Sequence, residues 1–333
     1  MLSRVADAVY WMGRYIERAE NVARFVDVSL HLALDMPGDR GEWAALLSAT
    51  GDDAIFRERY GEPSRDAVMK FLAFDKSYGS SIVSCLSYAR ENARCVREII
   101  SSEMWEQINT AYLMAKDAKF EAIVDEPHAF FDEIKKASHL FVGTTYLTMT
   151  HNEAWHFCRL GRLLERADKT SRILDVKYFL LLPELNDVGT TYDELQWAAL
   201  LKSASALEMY RKRHGLISPP SVVDFLLLER RFPRSVRYSL NKADRSLHAI
   251  TGSPIGSSDS KAERALGRLS SELEFADTRE ILTAGIHEYL DGVQTKLNTV
   301  GDAIHETFFA MGPVDDPPPS QVPGQTQSQS QSR

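Results

Sequence analysis

The dipeptide Glu-Arg occurs twice in one local setting: Glu17-Arg18 within Gly13-Arg-Tyr-Ile-Glu-Arg-Ala-Glu20, and Glu165-Arg166 within Gly161-Arg-Leu-Leu-Glu-Arg-Ala-Asp168. Carboxylates beside guanidinium groups support three kinds of chemistry. Arginine can grip a carboxylate through two hydrogen bonds while glutamate takes an amine, which suits an amino acid or peptide end. Two carboxylates with pKa values pushed apart can act as acid and base. Alternatively the charges pair with each other and only lock the structure. On a helix, Gly13, Glu17, Glu20 and Arg24 share one stripe, and Gly161, Glu165, Asp168 and Arg172 repeat it. Arg14, Arg18, Arg162 and Arg166 lie further round. Glu20–Arg24 and Asp168–Arg172 are i,i+4 pairs in the favourable order, each contributing roughly 0.2–0.5 kcal/mol to a helix. Glycine inside a helix costs about 1 kcal/mol relative to alanine, so Gly13 and Gly161 are expected to permit close approach of another backbone or a ligand.

Three further groupings carry possible chemistry. Glu153 and His156 have the Glu-x-x-His spacing of di-metal carboxylate bundles, with Asp302 and His305 as a second half, but the matching positions Val5 and Ala8 carry no ligands. Arg230, Arg231, Arg234, Arg237, Lys242 and Arg245 are the one basic concentration. Around the helix start after Pro233, with Arg230, Arg234 and Arg237 as the main candidates, they could hold a phosphate or carboxylate; otherwise they form a solvated face. Thr251–Ser258 contains glycines but reads as a linker, and no phosphate loop, dinucleotide fingerprint or nucleophile elbow is present. Cys85 and Cys95 read as small core fillers.

These residues need helices to position them. Val5, Val9, Met12, Ile16, Ala19, Ala23, Val26 and Leu30 recur at intervals of three and four, as do Leu160, Leu164, Ala167, Ser171 and Leu174, so each motif helix has a face made for a core. The strings Gly13–Val28 and Gly161–Val176 align at an offset of 148, and Trp43–Leu47 with Trp197–Leu201 and Phe71–Leu86 with Phe225–Leu240 align at 154. Three blocks in one order indicate a tandem duplication. The expected architecture is an all-α helical bundle of two units, 1–150 and 151–311. Helices are expected over Leu2–Leu34, Gly41–Thr50, Pro63–Asp75, Asp125–Tyr146, Glu153–Leu182, Tyr192–Lys212, Pro220–Arg231 and, with a break, Lys261–Phe309. Breaks fall at Tyr78-Gly79 and Phe232-Pro233. The Pro/Gln/Ser-rich tail 312–333 is too poor in apolar residues to order itself.

A chain of 333 residues with 44% hydrophobic and 26% charged residues can bury a core in two units. Its net charge of −8 disfavours a general nucleic-acid binder. Three cysteines without a CxxC pair point to a reducing, cytoplasmic setting. Charges at Arg4, Asp7, Arg14 and Glu17 interrupt any signal-peptide core, and no run approaches the ~18–20 apolar residues of a membrane helix.

The segments Gly13–Arg24 and Gly161–Arg172 resemble the bacterial alpha-E family, a helical domain named for its Glu-Arg motif and typically present as a tandem duplication. The resemblance spans about residues 1–310. It implies a place in a peptide synthesis or modification system, beside circularly permuted ATP-grasp carboxylate–amine ligases, transglutaminase-like proteins and Ntn-hydrolase-type peptidases, and it establishes no catalytic role for the domain itself. The resulting expectation is a non-catalytic accessory component that binds a peptide, an amino acid or a protein partner, with no cofactor and no nucleic-acid or membrane partner. An enzyme using the paired glutamates or a metal in amide chemistry, and a pure scaffold, stay open as alternatives.

Overall fold

The computed structural model describes residues 1–35, 42–180 and 191–310. The tail 312–333, Met311 and the end of the helix expected to reach Leu182 lie outside the described residues. Among the described residues every regular element is a helix and there is no strand.

In the first half α1 (Ser3–Asp35) leads to the short α2 (Glu42–Thr50), α3 (Asp53–Tyr60) and α4 (Arg65–Met69), the last running into a π-helical turn at Lys70–Phe74. Then come α5 (Ile82–Cys95), α6 (Ser102–Asp117), α7 (Phe120–Ile123) and α8 (Pro127–Thr148). In the second half α9 (Glu153–Leu180), α10 (Thr191–Ser203), α11 (Leu207–His214) and α12 (Pro219–Val223) precede another π-helical turn at Asp224–Leu228. They are followed by α13 (Val236–Thr251), α14 (Lys261–Phe275), α15 (Thr278–Ala284) and α16 (Ile286–Ile304), which ends in a π-helical turn at His305–Phe309. Element starts at 53, 65, 70 and 82 recur at 207, 219, 224 and 236, each displaced by 154 residues.

The two longest helices cross at the centre. α1 packs on α9 more extensively than any other pair, and each also carries its own group, α1 with α5 and α8, α9 with α13 and α16. Two short helices reach across, α2 onto α9 and α10 onto α1. The apolar stripe of α1 is buried from Val9 through Met12, Ile16, Ala19, Ala23 and Val26 to Leu30, as is that of α9 through Leu160, Leu164, Ala167 and Leu174. The flanking helices start where the sequence supplies caps. Ser81 and Ser235 accept hydrogen bonds from the backbone N–H of Ser84 and Tyr238 at the starts of α5 and α13. Ser260 and Glu263 form a reciprocal capping box on α14, and Pro127 opens α8.

Several expectations are corrected. The stretch expected as one helix over Tyr192–Lys212 is broken at Ser205, whose φ of 49° ends α10 and starts α11. Pro63–Asp75 is a short α-helix running into a π-helical turn. Helix α6 was not foreseen, although Met104, Ile108, Ala111 and Ala115 recur at helical spacing and are buried. Cys85 is buried as expected, but Cys95 is exposed at the end of α5. Among the described residues no helix is long and apolar enough to cross a membrane.

Candidate functional site

The site begins where α1 and α9 touch. A Cβ on Gly13 would collide with the Cys158 carbonyl oxygen, and one on Gly161 with the Tyr10 carbonyl oxygen. Tyr10 and Cys158 are themselves separated by the motif offset of 148, so each helix sets its glycine against the same point on the other. This contact brings the backbones close enough for side chains to exchange partners. Glu165 is fully buried; it accepts bonds from Arg14 Nε at 2.8 Å, Arg18 Nε at 2.6 Å and Arg18 Nη2 at 3.1 Å. Glu17, equally buried, takes Arg166 Nε at 2.8 Å and Nη2 at 2.7 Å. Each glutamate of the motif is thus held in a two-bond grip by the arginine of the other copy, a geometry that Lys could not supply.

A second tier lies one turn on. Glu20 accepts from Arg24 at 2.7 Å, from Ser138 Oγ at 2.6 Å, and from Arg234 Nη2. Arg234 also reaches Asn21 Oδ1 at 3.1 Å. Asp168 takes Arg172 Nε at 3.0 Å and Lys169 Nζ at 3.2 Å. Burial by itself would raise these carboxyls, but neighbouring cations outweigh it. Arg18, Arg14 and Lys169 hold Glu165 well below the ordinary range; Arg234, a hydrogen bond from His139, and Arg24 do so for Glu20; Lys169 and Arg172 lower Asp168. Glu20, Glu165 and Asp168 are therefore ionised near neutral pH.

The two copies of the motif differ in what lies beside their glutamates. Beside Glu165 a cavity of about 530 Å³ opens between α1, α9 and α16, walled by Arg14, Arg18, Lys169 and Arg172 with Asp168, Ser80, Tyr10, Asp302 and His305. At the corresponding place beside Glu17 lies the buried Arg234 side chain, 3.5 Å from Glu17 and bonded to Glu20 and Asn21. Ser80 stands 154 residues before Arg234, and Lys169 stands 148 after Asn21. On one side the extra cation comes from the turn and the helix contributes a neutral amide; on the other the cation comes from the helix, and the turn contributes a serine too small to fill the space. Four cations around the cavity face the carboxylates of Glu165, Asp168 and Asp302, a formal surplus of one positive charge with histidine neutral. Arg172 is held by its Nε alone, and among the described residues its terminal nitrogens have no acceptor. The cavity size suits a small organic ligand.

Not all predicted residues join this site. Arg162, matching Arg14, makes no hydrogen bond to Glu17, and its buried Nε has no acceptor. The anion-site expectation for Arg230, Arg234 and Arg237 is corrected, because all three spend their charge internally. Arg234 is buried against Glu20 and Glu17, while Arg230 and Arg237 pair with Glu274 at 2.6 and 2.8 Å. The Glu153–His156 spacing, weighed only as a weak metal alternative, gains no support: Glu153 pairs with the Met1 ammonium at 3.0 Å, and His156 packs edge-on against Trp155. The sequence reading missed a different grouping. Asp27 takes His128 Nδ1 at 2.6 Å and Lys135 Nζ at 2.7 Å, with the His31 ring tilted against that of His128, so three potential ligands lie together. Asp175 with His287, at 2.7 Å, and Gln294 repeats this clamp in the second half, which marks it as a tie between the central helix and α8 or α16, its Asp27 charge already met by Lys135. Sequence separations of 101 and 112 residues hid both clamps.

Two central helices that cross on paired glycines, each burying its glutamate under the other's arginine, define an all-α Glu-Arg module. The chain belongs to the Alpha-E family, described as a predicted alpha-helical domain with a conserved ER motif, whose family profile matches residues 1–309. It is similar to uncharacterised proteins of Mycobacterium bovis and of two strains of Mycobacterium tuberculosis, CDC 1551 and H37Rv, with 24% identity in each case over 92% of this chain and 37% of theirs. The chain thus spans little more than a third of the length of these relatives. No solved structure matches it significantly.

Proposed function

We propose that the protein is a non-catalytic accessory component of a bacterial peptide synthesis or modification system in the cytoplasm. It holds a carboxylate-bearing amino acid or peptide in the cavity beside Glu165 and presents it to an ATP-grasp-type carboxylate–amine ligase, with transglutaminase-like proteins in the same system. The observation that carries this reading is the cation-walled cavity of about 530 Å³ beside the second motif, set against its filled counterpart beside the first. The surplus positive charge and the terminal nitrogens of Arg172, without an acceptor among the described residues, suit an organic carboxylate, and Asp302 on the wall suits its amine. Ionised, arginine-saturated carboxylates suit binding rather than proton transfer, which needs a pKa near the working pH. The much greater length of the mycobacterial relatives fits a module that works beside other domains.

The test refills the cavity as the protein already fills its counterpart. Ser80→Arg with Lys169→Asn reproduces the Arg234–Asn21 arrangement, and the double variant is expected to fold. Calorimetric titration uses free dipeptides and their C-terminal amides. The free acids are expected to bind the parent, the amides to bind at least about tenfold more weakly, and the double variant to bind neither. Absence of dipeptide binding, or equal binding by the double variant, overturns the reading. The scaffold alternative is favoured by the mutual saturation of Glu17, Arg166, Glu165 and Arg18, and it is the reading left standing if the cavity takes no carboxylate. Co-purification with a ligase from the native host tests the partner assignment separately.

A further inference from the structure

Outside the cavity, α9 and α13 pack side by side and present a second set of cations. Trp155, Arg159 and Arg162 follow one another at spacings of four and three on α9, as do Tyr238, Lys242 and Arg245 on α13, so each triplet shares a helix face. The faces meet: Arg159 Nη1 donates to Ser246 Oγ on α13 at 3.3 Å. Arg159 lies over the Trp155 ring at 5.2 Å and Lys242 over the Tyr238 ring at 5.3 Å. Among the described residues none of the four cations has an ion-pair partner. Two buried nitrogens here also lack a hydrogen-bond partner, Arg162 Nε and His156 Nδ1.

Most arginines of the motif are treated differently: Arg14, Arg18, Arg24, Arg166 and Arg172 pair with carboxylates, as do Arg230, Arg234 and Arg237 of the later turn, in a chain with 47 acidic and 39 basic residues. Burial followed by the charges of Arg245 and Arg159 depresses the Lys242 ammonium, so these three cations share a positive field. At the offsets of 148 and 154 the first half has Trp11 and Arg14, Tyr88 and Glu91 in these places, so the patch belongs to the second half alone.

We infer that the α9–α13 face docks an acidic segment of a protein partner, its carboxylates paired with Arg159, Arg162, Lys242 and Arg245. Guanidinium groups grip carboxylates through two bonds, and truncating desolvated charge pairs of this kind strongly weakens an interface. The patch covers one helical turn on each helix, about 5 Å of rise, which matches three or four neighbouring acidic side chains. A nucleic acid would need a longer row of phosphate contacts, and the net charge of −8 opposes a long polyanion.

The experiment measures fluorescence anisotropy of a fluorescein-labelled hexaglutamate peptide, with a labelled oligothymidylate in parallel. The parent is expected to bind hexaglutamate at low ionic strength and to release it as salt rises. Lys242→Glu with Arg245→Glu, and separately Arg159→Ala with Lys242→Ala, should each weaken binding at least about tenfold while circular dichroism stays unchanged. The cavity variant Ser80→Arg/Lys169→Asn should bind hexaglutamate as the parent does, which separates this surface from the carboxylate cavity. The inference is overturned if the parent does not bind hexaglutamate, if both charge variants bind it undiminished, or if oligothymidylate binds as tightly.

Discussion

Alanine at Gly13 separates the crossing from ordinary helix propensity. On propensity alone Gly13→Ala stabilises by about 1 kcal/mol, largely because alanine lowers the entropy of the unfolded chain. The structure reverses the sign. The new methyl would sit inside the Cys158 carbonyl oxygen, with the carbonyl carbon at 3.2 Å and Cys158 Sγ at 3.3 Å. The obstacle is mid-helix backbone, which cannot swing aside, so α1 and α9 must part by several tenths of an ångström. Overpacking of this kind costs about 1–3 kcal/mol, and the parting also stretches the bonds of Glu165 to Arg18 and of Glu17 to Arg166, so the net effect should be a loss of about 1–3 kcal/mol. Gly161→Ala should lose a similar amount against Tyr10. Because both collisions lie across one contact, the shift that admits the first methyl admits the second. The double variant should therefore lose less than the sum, by a coupling of ~0.5–3 kcal/mol.

Urea denaturation with an unchanged slope reads the effect directly. Gly267 and Gly292 are internal controls, since both lie within helices and a Cβ there meets nothing within 4 Å; Gly267→Ala and Gly292→Ala should stabilise by up to ~1 kcal/mol. If Gly13→Ala stabilises as the controls do, or if the two crossing substitutions add fully, the reciprocal contact does not carry the fold.

Glu165→Gln leaves Arg14 and Arg18 without their counter-charge and should cost ~3–5 kcal/mol, toward the lower end because both arginines keep some solvent contact; a loss below ~1 kcal/mol in urea would refute the buried-grip reading. Burial favours a raised Glu263 carboxyl, but hydrogen bonds from Ser253, the Ser260 backbone N–H and Thr251 outweigh it and hold the group at about 2 against an ordinary 4.5. The folded value is the lower one, so this stability is present above pH 4.5 and is lost as pH falls toward 2; Glu263→Gln should flatten the melting temperature's pH dependence across that window. Burial pushes the Cys85 and Cys158 thiols up to about 12 and 11, whereas Cys95 is exposed. A thiol reagent on native protein at pH 8 should find one fast group, lost in Cys95→Ser, with the others appearing only on unfolding.

What the sequence made legible was local. The intervals of three and four in α1 and α9 reported core faces because periodicity and burial have one cause, the 3.6-residue turn. The i,i+4 pairs Glu20–Arg24 and Asp168–Arg172 could be read for the same reason, and both are made. The glycines could be singled out by their cost, but not assigned an opponent. The strongest ionic contacts were invisible to spacing, because Arg18 and Glu165 are 147 residues apart, and Arg234 and Glu20 are 214. Read along the chain, Arg234 belonged to a run of cations that looked free; folded, it is the most deeply committed of them.

The same limit hid the cavity, although Arg14, Arg18, Ser80, Lys169 and Arg172 on its wall all lie within the aligned strings. Along the chain, Asn21 against Lys169 is one change in the aligned helices and Ser80 against Arg234 another in the aligned turns, about 60 residues away. Only when the crossing places both positions beside a buried glutamate do they become one substitution in two parts. A buried carboxylate pair demands a further cation nearby, so the loss of Arg234's equivalent at Ser80 must be met, and Lys169 meets it from the helix. Charge is conserved by that exchange and volume is not. A guanidinium stem reaching in from the turn fills the space beside Glu17. A lysine lying along its own helix neutralises Glu165 and Asp168 and leaves the space open. Electrostatic demand thus explains why the two sides keep the same charges, and side-chain reach explains why only one of them has room for a ligand.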